Sequence, residues 1–147
     1  MQTFVPYGTD FKANAAVLDR QRLGKQRVEA WQILNALQGR SKGWVNHPAT
    51  RMWRGYEAAL CDYAIAMCDE WLVRGYTDTM RQRFVDLLTD DPVKPGWLLR
   101  SDVKESHRSN LIRKMPDHYG PLWPAVADDL PYVWPVTTAT DSLVAAP

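Results

Sequence analysis

Between Ala15 and Gln38 the chain has no proline and a single glycine, and Leu23, Ala30, Trp31, Leu34 and Leu37 recur at helical spacing. That run predicts a long amphipathic helix, closed by Gly39 in the left-handed position that favours glycine. A second helix is expected from Pro48-Ala49, broken near Gly55 and resumed through Leu60, Ala64, Met67, Cys68, Trp71 and Leu72 as far as Arg74-Gly75. Thr77 or Asp78 would cap a third through Phe84, Leu87 and Leu88, ending at an Asp90-Asp91-Pro92 turn. Asp102 and Glu105 have capping-box spacing for a fourth, which Pro116 would close. No stretch alternates with period two for long enough to build a sheet, so the expected fold is all-α.

Beyond Pro116 the prolines are too dense for regular structure: Pro121, Pro124, Pro131 and Pro135. Tyr119, Trp123, Tyr132 and Trp134 are interspersed among them, which predicts an extended aromatic strap laid on the helices. The expected organisation is one compact helical domain over 1–136 and a frayed tail over 137–147. At 147 residues, 46% apolar and 24% charged, the chain suits one soluble core. It shows no signal peptide and no apolar run long enough to span a bilayer. Cys61 and Cys68, placed on one helix, would lie ~10 Å apart along its axis, too far for a disulfide. Three histidines and no cysteine cluster argue against a metal centre.

The net charge of +1 conceals an uneven distribution. Residues 1–60 hold nine Lys/Arg against four Asp/Glu, whereas the last 27 residues hold three acids and no base. An electropositive N-terminal half suits a phosphate-rich partner, although a solvated charged face has the same composition.

Within RLGKQRVEAW, Arg22 and Glu29 are seven residues apart and share a helix face with Lys25 and Gln26. Glu29 is thus a lone carboxylate among cations, either an ordinary ion pair or a group kept ionised for chemistry. In the loop Gly43-Trp44-Val45-Asn46-His47-Pro48, the proline forces His47 extended, leaving it either merely exposed or at the mouth of a site. His107 falls on the same face of the fourth helix as Val103 and Leu111, the pattern of a hydrogen-bonded, partly buried histidine. Arg108, Arg113 and Lys114 on that helix could contact phosphate. Trp44, Trp53, Tyr119 and Trp123 are either core or stacking surfaces for nucleobases. No phosphate-binding glycine loop, nucleophile elbow or helical histidine pair is present.

Taken in order, the strip Met1–Pro6, the helix Leu18–Leu37 with Arg27 and Glu29, the GWVNHP loop and the Ser106-His107-Arg108 helix resemble the endonuclease V-like family of small pyrimidine dimer DNA glycosylases. The resemblance covers roughly residues 1–135. It is closest to a bacterial and phage branch sharing strings such as LDRQRLGKQRVEA, GWVNHPATRMW, SHRSNLIRK and DLPYVWP. It implies an all-α, metal-free and cofactor-free glycosylase and abasic-site lyase that works through an imine on its N-terminal α-amine. Glu29 looks like the family's assisting glutamate. Gln2 is too large to favour removal of the initiator methionine, so Met1 would supply the amine.

Met1 and Glu29 are therefore the expected catalytic pair. Gln2, Arg22, Lys25, Arg27, Asn46, His47, Arg51, His107 and Arg108 are the expected contacts to damaged double-stranded DNA. A monomer in the cytoplasm, at the nucleoid, would suit such a role. Two alternatives stay open: a DNA-binding module without chemistry, and a glycosylase for another modified base.

Overall fold

The computed structural model describes residues 1–89 and 92–135. The described residues form seven α-helices: α1 (Phe11–Val17), α2 (Arg20–Leu37), α3 (Pro48–Arg51), α4 (Glu57–Val73), α5 (Arg81–Leu87), α6 (Ser101–Lys114) and α7 (Pro116–Tyr119). Two 3-10 turns, Gly96–Leu99 and Gly120–Leu122, complete the order, and no β-strand occurs among the described residues. The all-α expectation holds. The Asp90-Asp91 turn and the tail at 137–147, with its boundary at 136, lie outside the described residues.

The central element is α4, which packs against α1, α2 and α5. Leu60, Tyr63, Ala64, Met67 and Cys68 on it have essentially no contact with water. From α2, Leu23, Ala30, Ile33 and Leu34 meet them. Each buried leucine or isoleucine contributes roughly 1.5–3 kcal/mol before its ordering cost is deducted. Cys61 and Cys68 are both free and buried on α4. Burial pushes their thiols up to about 11 and about 12, which leaves them unreactive.

The run expected as one helix over 15–38 is two. Leu18 and Asp19 are extended, and the Asp19 carboxylate accepts a hydrogen bond from Arg22 N–H at 3.3 Å as the cap of α2. Tyr119 fixes the break, because its hydroxyl accepts from Asp19 N–H at 2.9 Å and donates to the Asp19 carboxylate. In α2 the single glycine has a packing reason. A Cβ on Gly24 would lie 3.0 Å from two ring atoms of Trp71.

Helix α6 begins one residue before the expected capping box, with Asp102 in its first turn and paired to Arg100. Pro116 ends it and opens α7. One polar face of α6 holds the strap. Ser109 Oγ accepts from Leu130 N–H (3.0 Å), Ser106 Oγ from Val133 N–H (3.2 Å), and Asn110 donates to Leu130 C=O (3.3 Å). Tyr132 and Trp134 are carried on the strap and pack against the core.

Candidate active site

The first five residues have no regular secondary structure, Pro6 enters a turn, and no strand lies beside them among the described residues. Gln2, Thr3, Phe4 and Val5 are nonetheless buried, so each backbone polar group needs a partner. Side chains provide them. Gln26 Oε1 accepts from Phe4 N–H (3.1 Å), and Gln26 Nε2 donates to Gln2 C=O (2.9 Å). Tyr63 O–H donates to Phe4 C=O (2.8 Å), and His107 Nδ1 accepts from Val5 N–H (3.0 Å). Arg108 Nε donates to Pro6 C=O (2.9 Å), and Trp53 Nε1 donates to the Thr3 hydroxyl (2.9 Å). At Gly8, with φ of +62°, the chain turns back into α1; a Cβ there would meet Leu98 C=O at 2.4 Å.

Anchored in this way, the strip brings Met1 to a cavity of about 320 Å³. One face of α2 contributes Gln21, Arg22, Lys25, Gln26 and Glu29 to its wall. Lys114 comes from the end of α6, His47 from the loop before α3, and Tyr132 and Trp134 from the strap. Three cations and the chain's amine thus face one carboxylate.

Glu29 is only 9% exposed and has no ion pair among the described residues. Its Oε2 accepts from Gln26 Nε2 at 2.9 Å. Two of the neighbouring cations on α2 have other partners. Arg22 pairs with Asp19, and Arg27 pairs with Asp78 and stacks over Trp71 at 4.5 Å. Burial opposes the Asp78 charge, but N–H donors from Arg81 and Met80 together with Arg27 hold its carboxyl below the usual range. Burial, and then the Glu29 charge, push the Tyr63 hydroxyl well above its ordinary range, so it remains a donor.

His47 caps α3, its Nδ1 accepting from Ala49 N–H at 3.0 Å. That bond leaves the proton of the neutral ring on Nε2. Burial first, and the N-terminal ammonium second, lower its pKa. Trp44 and Trp134 flank the ring edge-on at 5.5 and 5.6 Å. Trp44 is 51% exposed and holds a positive φ of 67°, which is rare and costly for a bulky residue. Trp53, Tyr119 and Trp123 are core, so Trp44 is the one of those four aromatics open to a nucleobase.

Of the residues singled out from the sequence, Met1, Gln2, Arg22, Lys25, Glu29 and His47 share the cavity. The others do not. Arg27 is engaged by Asp78, and Asn46 and Arg51 are exposed outside the cavity wall. His107 is wholly buried against the strip, and Arg108 bonds Pro6 and stacks on Tyr7 and Trp123. The reason is the same for both residues of α6: the strip needs partners for its backbone. Gln26, Tyr132 and Trp134 were not singled out for the site, and Lys114 only as a phosphate contact of the fourth helix. Gln26 gave a signal only through its register, between Arg22 and Glu29 on one helix face.

Among the described residues no group of three His, Cys, Asp or Glu could hold a metal ion. No helix among them is long and apolar enough to cross a membrane. No curated protein and no solved structure matches the chain. A family model described as pyrimidine dimer DNA glycosylase matches residues 1–83, more than half of the 147 residues. That segment contains the strip, α2 and the His47 loop, and the chain belongs to the pyrimidine dimer DNA glycosylase family.

Proposed function

We propose that the protein excises pyrimidine dimers from duplex DNA and then cuts the strand, with the Met1 α-amine as nucleophile and Glu29 as the acid–base group. One observation carries this reading: Met1 and Glu29 line the same cation-rich cavity, and Glu29 has no ion pair among the described residues. The neutral amine attacks C1′ of the damaged nucleotide. The C1′–N1 bond breaks, and its electron pair leaves with the base, which takes up a proton. Opening of the C1′–O4′ bond, with a proton delivered to O4′, yields a protonated imine. The Glu29 carboxylate removes a 2′ proton, and the 3′ phosphate leaves by β-elimination. Water hydrolyses the imine and frees Met1.

The Glu29 carboxylate also stabilises the positive charge that develops on the sugar. Arg22, Lys25 and Lys114 give the DNA backbone its seat. Trp44 supplies a stacking surface at the cavity edge where the duplex is unstacked.

Borohydride trapping tests the reading. Protein with a verified free N-terminus is mixed with duplexes carrying an abasic site or a cyclobutane dimer, and then reduced. The expected result is a covalent adduct that maps to Met1, with Glu29→Gln lowering strand cutting at least ~100-fold while DNA binding survives. Binding without an adduct on either substrate would leave a DNA-binding module and overturn the lyase.

A further inference from the structure

We propose that Gln26 is the positioning residue of this site, holding the strip that carries the α-amine and the carboxylate of Glu29 in one frame. The inference rests on the glycosylase/lyase reading above. Its carboxamide makes four polar contacts in a space with almost no access to water. Oε1 accepts from Phe4 N–H (3.1 Å) and shares the single proton of the Tyr63 hydroxyl, 2.8 Å away, with Phe4 C=O. Nε2 donates to Gln2 C=O (2.9 Å) and to Glu29 Oε2 (2.9 Å).

Both acceptor contacts and both donor contacts are used, so the amide has only one acceptable orientation. A flip would set its oxygen against the Gln2 carbonyl and the Glu29 carboxylate. Gln26 and Glu29 are also three residues apart on α2, so the helix fixes their spacing. The nucleophile and the acid–base group therefore reach the cavity from separate parts of the chain through a single side chain. A neutral donor is needed there. A cation would neutralise Glu29, and a second carboxylate would compete with it for a proton.

Charged and titratable groups also act on Glu29 from other elements. The Met1 amine, Arg22, Lys25 and Lys114 line the cavity with it, as does His47. Tyr63 from α4 and Tyr132 from the strap feel its charge. Arg22, Lys25, Lys114, His47 and Tyr132 make no hydrogen bond to Gln26, whereas Tyr63 does and the Met1 amine is held through the strip.

The experiment measures strand cutting of abasic duplex against pH, with borohydride trapping alongside, for wild type, Gln26→Glu and Gln26→Met. Gln26→Glu keeps the size and both acceptor contacts but replaces the donor with a carboxylate oxygen. Its acid limb should move up by at least one pH unit, with at least a tenfold slower rate at pH 7 and DNA affinity within about threefold of wild type. Gln26→Met should lower kcat at every pH with little change in KM. If both variants cut with the wild-type rate and pH profile per folded molecule, Gln26 is merely structural and the proposal is overturned. Should either variant fail to fold, side-chain amide resonances of Gln26 in wild type decide. They should shift with the titration of Glu29 and lose that shift in Glu29→Gln; insensitive resonances overturn the proposal. A wild-type protein that traps no DNA sinks the lyase reading itself, an outcome separate from any result at Gln26.

Discussion

At neutral pH the ring of His107 is uncharged, with Nδ1 accepting from Val5 N–H and a buried Nε2 that has no hydrogen-bond partner among the described residues. Burial lowers its pKa from 6.5 to about 3. The unfolded chain therefore takes up a proton below pH 6.5 that the folded chain refuses until about pH 3. Stability from the neutral ring is complete above 6.5 and declines as pH falls towards 3. Between pH 6.5 and 5 the loss should be on the order of 2 kcal/mol, at 1.36 kcal/mol per pH unit. Asp19, Asp78 and Asp102, whose pKa values lie below 3.8, contribute only at lower pH. His107→Asn keeps an acceptor for Val5 but does not titrate. Urea unfolding at the two pH values should show a smaller acid loss in the variant, despite lower stability at pH 7; equal losses would refute the assignment. The sequence placed His107 on an apolar helix face, hence partly buried. It could not show that the ring serves a strip 102 residues earlier.

Helices were the most legible elements, because their ends are written locally. Gly39, Gly75 and Pro48 stop or start them as expected, and Asp78 accepts from Met80 and Arg81 N–H at the head of α5. The division at Leu18–Asp19 escaped because its lock, Tyr119, lies a hundred residues away. On α2 the close approach of Gly24 to Trp71 gives a prediction at this scale. Alanine would raise helix propensity by up to ~1 kcal/mol. Trp71, however, is pinned by its N–H to Thr77 C=O (2.9 Å) and by Arg27 stacked on its ring. Overpacking of ~1–3 kcal/mol should win, so Gly24→Ala lowers Tm. A higher Tm would mean that the indole yields.

For the whole molecule, the cation-rich cavity is an assembly that no single segment encodes. Arg22, Lys25, Gln26 and Glu29 could be grouped from the sequence because one helix face carries them. Lys114, Tyr132 and Trp134 join only when α6 and the strap close over α2, and no local pattern announces that. Arg27, by contrast, was grouped with the cations by composition and is diverted by Asp78, 51 residues later. If Lys25 and Lys114 each meet a phosphate, affinity for undamaged duplex falls steeply with salt. Each Lys→Ala variant should flatten the slope of log K against log [salt] by about one. Unchanged slopes in fluorescence anisotropy titrations would place the DNA elsewhere.

The N-terminal strip lies in the interior like a strand, but side chains of four different kinds replace the neighbouring strands. A strand in a sheet can slip by two residues and find equivalent partners. Here tyrosine, histidine and arginine each fit one backbone group and glutamine fits two, so no second register exists. The beginning of the chain is in effect a gauge of fixed length, with its zero set inside the core. One extra residue ahead of Met1 would carry the amine ~3.3–3.6 Å further on while the strip stayed in place.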